Sequence, residues 1–405
     1  MSHPTTPIHR APLSQQNRRV ITTTSPDAIG AQVTVTINGI EAKVPFGTTI
    51  LDAARAAGVN IPTLCDHPDL NVAGVCRICV VEVEGQRLLQ PACTFPVVNQ
   101  MKINTHSRKV RKARRHVLEL LLSEHYGECT SCVRNGNCEL QTLAEEYGIT
   151  EFAFGHPEEP LVAEDHSSYS VMRDMNKCIR CRRCVRTCID MQEVGVLEAV
   201  NRSNRVDIET FQNRPLAGVV CINCGQCINR CPTGALHAKD ETQAVWNAID
   251  DPTKVVVIQT APSPRAAMGE IFGLEPGTTV TYQMNTALKR MGFSHVFDTN
   301  FSADLTIIEE GTELILRLYK ALVEGDTSVA LPQFTSCSPG WIKFAEHFYP
   351  EYISHLSSAK SPQQMFGALI KTFYAEKMGV DPADIVSVAL MPCSAKKFEC
   401  NRPEM

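Results

Sequence analysis

Cysteine spacing constrains this chain more strongly than any other feature. The sequence has 405 residues and 18 cysteines, of which fifteen, together with one histidine, form four groups of four closely spaced residues. C-x-x-C runs in a long chain are typical of metal sites in a reducing compartment, whereas disulfide frameworks concentrate in short secreted domains. The spacings predict four iron–sulfur clusters, along which electrons can pass. The groups are Cys65, Cys76, Cys79 and Cys93; His125, Cys129, Cys132 and Cys138; Cys178, Cys181, Cys184 and Cys188; and Cys221, Cys224, Cys227 and Cys231.

Composition limits the classes of protein to which the chain can belong. A chain of this length is expected to hold roughly two to four domains, and its hydrophobic content of 43% is enough for several cores. The net charge of −5 argues neither for nor against nucleic-acid binding, and no run of about 18 apolar residues predicts a membrane span. We expect no nucleic-acid partner and no membrane span. The C-x-x-C runs indicate a reducing compartment, and we expect a cytoplasmic location. The polar segment 1–31 is predicted to be a disordered tail, with an organellar transit peptide as the alternative.

The first group of cysteines lies in a segment with strand and turn signals. Val33–Ile37 alternates between apolar and polar residues, Asn38-Gly39 indicates a hairpin turn, and Thr49–Ala57 is expected to be helical. The spacing C-x10-C-x2-C-x13-C resembles the plant-type ferredoxin module of complex I and hydrogenases. The resemblance implies a β-grasp domain over 32–109 whose thiolates hold one [2Fe–2S] cluster. A zinc site is the alternative, although zinc sites usually have tighter, paired spacings.

A basic run separates the first group from the second. Arg108–Arg115 contains six Lys or Arg in eight residues and leads into an apolar stretch, which predicts a helix. This helix either docks an acidic ferredoxin or presents an ordinary solvated face. The spacing H-x3-C-x2-C-x5-C that follows resembles a [4Fe–4S] module of complex I and iron hydrogenases, and implies such a module over 110–150. A zinc site with the same four ligands is the alternative.

The third and fourth groups share one spacing. C-x2-C-x2-C-x3-C occurs twice, which is typical of bacterial ferredoxins with two [4Fe–4S] clusters and predicts such a domain over 168–245. In these ferredoxins the fourth cysteine of each run binds the other cluster. We therefore expect one cluster on Cys178, Cys181, Cys184 and Cys231 and its neighbour on Cys221, Cys224, Cys227 and Cys188.

Beyond Lys254 the cysteine motifs give way to alternating helices and strands. Val255–Ile258 is a continuous apolar run, which predicts a buried parallel strand. The alternation indicates an α/β domain, in which active groups lie at the carboxyl ends of the strands. The expected helices are Thr286–Met291, Glu309–Leu322 and Phe366–Tyr374, and the expected strands are Val296-Phe297 and Ile385–Leu390.

Two segments of this α/β region carry the remaining cysteines. Cys337 lies in Thr335–Trp341, and Cys393 lies in Met391–Glu399 with Cys400 directly after it. The segments resemble the first and second signatures of [FeFe]-hydrogenases, T-S-C-C-P-G-W and M-P-C-x-x-K-x-x-E. With the upstream motifs, the resemblance extends over nearly all of the chain after residue 31. It implies a catalytic H-cluster, in which a di-iron unit hangs by a cysteine sulfur from its own [4Fe–4S] cube.

The resemblance implies a role for each matching residue. Cys337 matches the thiol that delivers protons to the di-iron unit, and Cys393 matches a ligand of the cube. Lys396 matches the lysine that holds an iron-bound cyanide, a position that suits a charge-assisted hydrogen bond. The proton relay is matched by Glu310, Glu313 and Ser357, and the pocket lining by Pro262, Ser263, Pro362 and Gln363.

Each matching residue also has an interpretation that requires no catalysis. Glu310 and Glu313 fit a solvated helix face, Lys396 fits a surface charge, and a buried cysteine is often only a small hydrophobic residue. Because both signatures occur together, we favour the functional interpretation. Cys400 matches no ligand of the family, and we expect it to be incidental.

The chain departs from the family at two places. Ser338 stands where the family has a second adjacent cysteine, and a serine oxygen binds a cube more weakly than a thiolate. Cys337 is the alternative ligand there, at the expense of the proton-relay thiol. The sequence ends at Met405 without the third signature, E-x-M-x-C-x-x-G-C, so that Cys393 is the only sure cube ligand. We therefore expect 253–405 to be the amino-terminal part of the catalytic domain of a longer hydrogenase.

The motifs together predict a multidomain α+β and α/β protein with one of two functions. The first is an iron-only hydrogenase that reduces protons to H2 reversibly, with electrons from ferredoxin or from a flavin-containing subunit that oxidises NAD(P)H. It requires one [2Fe–2S] cluster, three [4Fe–4S] clusters and the H-cluster, whose insertion the resemblance assigns to hydrogenase maturation proteins. The second is a non-catalytic electron-transfer subunit or redox sensor derived from a hydrogenase or a complex I-like protein.

Overall fold

The computed structural model describes residues 31–125, 128–151, 153–155 and 161–405. Apart from Ala31, the tail predicted over 1–31 lies outside these residues. The described residues form two compact units, and the domain bounds expected from the motifs stay predictions. The amino-terminal unit comprises 31–165, 172–219 and 226–237, and the carboxyl-terminal unit comprises 166–171, 220–225 and 238–405. Within the described ranges, no helix combines the length and the apolar character that a bilayer crossing needs.

A five-stranded sheet and one helix open the amino-terminal unit. The elements are β1 Gln32–Ile37, β2 Ile40–Pro45, α1 Ile50–Ala56, β3 Val80–Val83, β4 Gln90–Pro91 and β5 Lys102–Asn104. The strand order is β2-β1-β5-β3-β4, with β1 antiparallel to β2 and parallel to β5. The predicted hairpin is confirmed, since Asn38 and Gly39 have φ values of 51° and 86°, as a tight turn between twisted strands requires. Val35 and Ile37 pack with Ile50 of α1 in a common core.

The basic run forms the first half of helix α2, Arg108–Ser123. The hydroxyl of Ser107 accepts a hydrogen bond from the N–H of Val110 at 3.3 Å and caps the helix. Arg114 is only 1% exposed and donates to the carbonyl of Val80 at 2.9 Å. The prediction of a wholly solvated face is therefore wrong for Arg114, because α2 packs on β3 and this side chain satisfies a β3 carbonyl.

Short elements surround the cysteines of the ferredoxin-like region. They are α3 Glu139–Glu146, β6 Val171–Arg173, α4 Arg183–Arg186, β7 Glu198–Val200, β8 Asp207–Glu209, α5 Gln226–Arg230 and β9 Leu236–Ala238. Strand β6 pairs with β9, and β7 pairs with β8. Arg180 and Arg182 have φ values of 55° and 59°, so that the chain curls tightly between consecutive cysteines.

A three-stranded parallel sheet with helices on both faces forms most of the carboxyl-terminal unit. Its elements are α6 Thr242–Asp250, β10 Val255–Thr260, α7 Pro264–Ile271, α8 Thr281–Arg290, β11 His295–Asp298, α9 Asn300–Leu322, α10 Pro339–Phe348, α11 Pro362–Leu369, α12 Ala375–Met378, β12 Ile385–Leu390 and α13 Lys396–Glu399. The sheet order is β11-β10-β12. Val256 of β10 packs with Met284 of α8 on one face, and Val257 packs with Phe366 of α11 on the other. The predicted α/β architecture is confirmed.

Helix bounds differ from the sequence expectation at three places. Helix α9 begins at Asn300 rather than Glu309, because the Asp298 carboxylate accepts a hydrogen bond from the N–H of Asn300 at 2.9 Å. Helix α8 begins at Thr281 rather than Thr286. The helix expected over Phe366–Tyr374 is formed by two consecutive elements. Helix α11 covers Pro362–Leu369, and a π-helical turn follows it directly over Ile370–Tyr374.

Candidate metal centres and catalytic site

Four buried thiols meet beside β3 in the amino-terminal unit. Cys65, Cys76, Cys79 and Cys93 are each at most 7% exposed, and the Sγ atoms of Cys79 and Cys93 are 3.4 Å apart. Contact with Cys65, together with burial, raises the pKa of the Cys76 thiol, whereas hydrogen bonds from Cys76 and Cys93 lower the pKa of Cys65. Thiols that perturb one another in this way surround one small volume. This arrangement fits the ligand set of a [2Fe–2S] cluster.

A glycine allows the loop to close around these thiols. Gly74 has a φ of 66°, and a Cβ at this position would lie 2.8 Å from Cγ2 of Thr94. A larger residue would therefore push apart the two chain segments that carry Cys76 and Cys93. Arg77 also has a positive φ, of 60°, in the same tight loop.

The histidine group lines a cavity of about 220 Å³ in the amino-terminal unit. Its wall contains His125, Cys129 and Cys138 but not Cys132. The Sγ of Cys132 faces Gly234, where an added Cβ would lie 2.9 Å from it. Nδ1 of His125 is 3.1 Å from the carbonyl oxygen of Lys177. Because a carbonyl only accepts hydrogen bonds, Nδ1 carries the proton and Nε2 carries the lone pair that a metal needs. The tautomer of His125 thus fits the predicted cluster that is held by one imidazole and three thiolates.

The third group lines a smaller cavity of about 20 Å³. Cys178, Cys181 and Cys184 are joined in its wall by Cys231, the fourth cysteine of the other run, as the crossed ligation requires. Burial raises the pKa of Cys178, Cys181 and Cys184, that of Cys181 to about 12. The N–H of Arg180 donates to the Sγ of Cys178 at 3.4 Å. Iron would replace these protons, since thiolates are the metal-binding form.

One apolar core joins ligands of three of the predicted clusters. We call it the shared core, and its members are all buried. It contains two thiols of the first group, Cys138 of the histidine group and Cys181 of the third group. Its members are Leu64, Cys65, Cys76, Ile78, Leu118, Cys138, Leu140, Leu143, Ile179 and Cys181. The three sites are therefore close neighbours, which suits electron transfer between them.

The ligands predicted for the fourth cluster are divided between the two units. Cys188 and Cys227 belong to the amino-terminal unit, and Cys221 and Cys224 belong to the carboxyl-terminal unit. Cys188 already accepts a hydrogen bond at Sγ from the N–H of Val196, at 3.2 Å. This ligand set stays a prediction.

Both hydrogenase-like segments contact the segment 221–225 within the carboxyl-terminal unit. A Cβ at Gly340, in the first segment, would lie 3.7 Å from Cβ of Cys224. The hydroxyl of Ser394, in the second segment, donates to the carbonyl of Asn223 at 3.4 Å. The two segments therefore lie directly against a cluster-binding run.

The carboxyl ends of the three parallel strands meet at one edge of the sheet. Thr260 at the end of β10 pairs with both Asp298 of β11 and Leu390 of β12. The segment with Pro262 and Ser263 follows β10, and the segment with Cys393 follows β12. The structure thus brings these predicted site residues to the edge where α/β enzymes place their reacting groups. Cys393 is half-buried, whereas Pro262 and Ser263 are exposed.

Lys396 is held in a buried polar cluster rather than on the surface. It is 8% exposed, and its Nζ donates to Glu399 and to the hydroxyl of Ser361, each at 2.9 Å. The surface-charge interpretation of Lys396 is therefore wrong. Gln363 is buried beside this cluster and donates to Sγ of Cys400 at 3.1 Å, and its side-chain oxygen has no hydrogen-bond partner among the residues that the structure describes.

The predicted relay residues Glu313 and Ser357 are in direct contact. Although burial opposes it, hydrogen bonds from Ser357 and Arg317 lower the pKa of Glu313, and the Ser357 hydroxyl lies 2.6 Å from its carboxylate. Burial, together with the charge of Glu313, raises the pKa of Glu310 one turn earlier. Cys337 is exposed, and no hydrogen bond joins it to either glutamate among the described residues. The structure thus brings together three of the four relay residues.

The chain segments that carry the relay are nevertheless neighbours. Phe334, three residues before Cys337, forms a parallel bridge with Leu356, and its carbonyl accepts a hydrogen bond from the N–H of Ser357 at 2.8 Å.

Among the described residues, no group of three or more His, Cys, Asp or Glu side chains is arranged to hold a single metal ion.

The sequence matches known families over four stretches. Residues 254–405 match the C-terminal domain of the iron-only hydrogenase large subunit. Residues 30–108 match a 2Fe-2S iron-sulfur cluster binding domain, and 114–152 match the NADH-ubiquinone oxidoreductase-G iron-sulfur binding region. Residues 168–237 match the ferredoxin-like domain of NADH-quinone oxidoreductase subunit 3. The first part of the chain therefore consists of iron–sulfur domains, and the last part is a hydrogenase domain.

Relatives of the chain include hydrogenases and NAD(P)H-linked oxidoreductases. The NADP-reducing hydrogenase subunit HndD of Solidesulfovibrio fructosivorans is 51% identical over 380 residues, and iron hydrogenase 1 of Clostridium pasteurianum is 39% identical over 373 residues. Each alignment covers 92% of this chain and 64% of the relative. The chain thus spans slightly less than two thirds of the length of these two relatives. The NADPH-Fe(3+) oxidoreductase subunit alpha of Geobacter sulfurreducens is 35% identical over 210 residues, which are 51% of this chain and 24% of that protein.

Several polar residues of the hydrogenase domain were not predicted as parts of a site. Glu399 and Ser361 hold Lys396, and Arg317 donates to Glu313 at 2.7 Å. The i,i+3 spacing of Lys396 and Glu399 and the i,i+4 spacing of Glu313 and Arg317 could have indicated these pairs. Ser361 had no such signal, because it is distant in sequence from the lysine that it binds.

Proposed function

We propose that the chain passes electrons along four iron–sulfur clusters to the hydrogenase domain, where protons are reversibly reduced to H2. The contact of both hydrogenase signatures with the segment 221–225 carries this proposal. Gly340 packs against Cys224, and Ser394 donates to Asn223. One predicted ligand of the last cluster, Cys224, and the neighbouring Asn223 thus lie against the segments predicted to surround the H-cluster. Electrons that reach this run would pass from it directly to those segments.

The side chains of the hydrogenase domain fit the roles of an H-cluster site. When bound, this cluster supplies the iron at which protons and electrons combine. Cys393 follows β12 at the carboxyl edge of the sheet, where its thiolate would be a ligand of the cube. The buried ammonium of Lys396 would suit an anionic cyanide, since burial strengthens a charge-assisted hydrogen bond. Cys337 would hold a proton at Sγ, and the hydrogen-bonded pair of Ser357 and Glu313 would exchange protons with solvent.

Metal content tests the proposal directly. Protein purified without oxygen and reconstituted with iron and sulfide should bind about fourteen iron atoms before any H-cluster is inserted, from one two-iron and three four-iron clusters. Iron and acid-labile sulfide analysis measures the total, and electron paramagnetic resonance separates the cluster types. Binding of zinc in place of iron, or of only traces of iron, would contradict the proposal. Hydrogen formation by protein treated with hydrogenase maturation proteins tests the catalytic part separately.

We further propose that the exposed face of α2 docks an acidic electron carrier. Burial of Arg114 leaves the exposed side chains of Arg108, Arg111 and Lys112 along one side of the helix. Arg114 ties α2 to Val80, which directly follows the cluster ligand Cys79. A carrier bound to this face would therefore be close to the [2Fe–2S] site. Its partner is a ferredoxin or an acidic surface of an NAD(P)H-oxidising subunit.

Charge reversal on α2 should slow electron delivery. The triple variant Arg108→Glu, Arg111→Glu, Lys112→Glu is expected to accept electrons from a reduced acidic ferredoxin about ten to a hundred times more slowly at low salt, and the difference should vanish at high salt. Stopped-flow absorbance of the [2Fe–2S] cluster measures the rate. The matched control replaces the exposed Arg202, Arg205 and Arg214 with glutamate. An equal loss in this control would show that only net charge matters and would rule out docking on α2.

A specific observation also favours a non-catalytic electron-transfer or sensory function. Ser338 replaces a thiolate ligand of the family, and both Ser338 and Cys337 are exposed. In this case the reconstituted protein would carry its accessory clusters and accept electrons, but maturation would produce no H2 turnover.

A further inference from the structure

Arginines are unevenly distributed between the two ferredoxin-like cysteine runs. The first run, 178–188, contains Arg180, Arg182, Arg183 and Arg186, whereas the second run, 221–231, contains only Arg230. Cluster ligation requires none of these side chains. Positive charge is thus concentrated around one of the two predicted [4Fe–4S] clusters.

Arg186 reaches from the first run to the [2Fe–2S] site. Its guanidinium donates to the carbonyl oxygen of Cys65 at 2.5 Å, to the carbonyl of Asn71, and to the carbonyl of Arg182 at 3.2 Å. Cys65 is a predicted ligand of the [2Fe–2S] cluster and shares the buried core with Cys181, a predicted ligand of the [4Fe–4S] cluster. The cation therefore lies between two cluster sites and is bound there by neutral acceptors.

No carboxylate pairs with Arg186 among the described residues. Arg183, on the same short helix, differs because it forms a bidentate pair with Glu139 at 2.6 and 2.8 Å. Asp66 contributes to the field at Arg186, but its carboxylate is paired with Arg55 at 2.8 Å. The charge of Arg183 is thus compensated nearby, whereas that of Arg186 is not.

The charges of ligand thiols from both sites act on Arg186. Burial lowers the pKa of Arg186, and the charges of Cys65 and Cys181 act in the opposite direction. The guanidinium stays protonated near neutral pH, because arginine does not lose its proton in proteins. The interaction is therefore a fixed electrostatic one and involves no proton transfer.

We propose that Arg186 raises the reduction potentials of the [2Fe–2S] cluster and of the cluster on Cys178, Cys181, Cys184 and Cys231 together. Each reduction adds one electron and one unit of negative charge to a cluster, and a nearby cation stabilises the reduced form. Because one cation serves both sites, their potentials rise in parallel, and the free-energy change for electron transfer from one to the other is left nearly unaltered. This inference rests on the cluster assignments of the proposed function.

Two substitutions with opposite expected effects test the inference. Arg186→Gln removes the uncompensated cation and should lower both reduction potentials. We expect the ratio of oxidised to reduced cluster at a fixed potential to rise about tenfold, which corresponds to a shift of about 59 mV in the reduction potential. Arg186→Lys should retain most of the wild-type value. Glu139→Gln removes the counter-charge of Arg183, whose field also includes Cys65 and Cys181, and should raise both potentials. Potentiometric titration followed by electron paramagnetic resonance measures each cluster separately.

A control variant and two different negative results separate the inference from the cluster assignments on which it rests. Arg115→Gln removes an exposed arginine from α2 and should leave both potentials unchanged. Intact clusters whose potentials are the same in wild type and Arg186→Gln would overturn the inference, whatever the effect of Glu139→Gln. If Arg186→Gln does not fold, Arg186→Met, which keeps the aliphatic stem and removes the charge, decides instead. Wild-type protein that binds no iron would instead refute the cluster assignments themselves.

Discussion

Replacing Cys181 with alanine is expected to remove about four iron atoms and to destabilise the whole amino-terminal unit. Cys181 is 7% exposed and belongs to the shared core with Cys65, Cys76 and Cys138. Its loss removes one of four cube ligands and leaves a void in the core, so that unfolding becomes easier by on the order of 1–3 kcal/mol. Electron transfer from the [2Fe–2S] cluster or from the histidine module toward the rest of the chain should then be interrupted, because the missing cluster adjoins both sites.

Iron analysis and thermal unfolding measure the two effects separately. The matched control is Ile179→Ala, because Ile179 lines the same cavity and belongs to the same core but donates nothing to iron. This control should lose about 2–4 kcal/mol of stability while keeping its iron. If both variants lose iron equally, the defect is one of packing, and Cys181 is not a ligand.

Hydrogen turnover should fall at least about a hundredfold when Cys337 is replaced with alanine. A methyl group neither accepts nor donates a proton, whereas the thiol does both. The segment that carries Cys337 is joined to Ser357 through Phe334, and Ser357 donates to Glu313 at 2.6 Å, so that the loss breaks the relay at its inner end. The four accessory clusters should be unaffected, because Cys337 lies in none of their sites.

The experiment compares H2 formation and cluster spectra in the protein after maturation. Thr335→Ala is the matched control, since Thr335 lies in the same exposed loop two residues earlier and belongs to no predicted relay. Turnover near the wild-type level in Cys337→Ala would show that protons take another route. Loss of the accessory-cluster signals would instead indicate that Cys337 has a structural function.

Local patterns predicted much of the fold. Asn38-Gly39 defined the first hairpin because few residues other than glycine and asparagine adopt a positive φ readily, and Val255–Ile258 defined a strand because both of its faces are covered. Helix bounds were less accurate. Asn300 begins α9 because a side chain of the preceding strand caps it, and hydrophobic periodicity does not report such a contact.

Groups of candidate metal ligands were easier to recognise in the sequence than the residues that contact them. Ligand spacing is local, since a cluster needs several donors from one loop, and the cavity on Cys178, Cys181, Cys184 and Cys231 follows the pattern of its motif. The contact of Arg186 with Cys65 joins residues 121 positions apart. No local pattern indicates such a pair, because only the packing of two motifs against each other brings them together.

The shared core has a consequence for the design of electron-transfer proteins. Thiols from three motifs are packed against the same leucines, so that each of the three motifs shares part of its apolar interior with the other two. Transplanting a single motif into another scaffold would expose these leucines and leave its cysteines open to oxidation. We expect recombinant chimeras to succeed only when the entire block is exchanged, with its boundaries placed outside the apolar contacts.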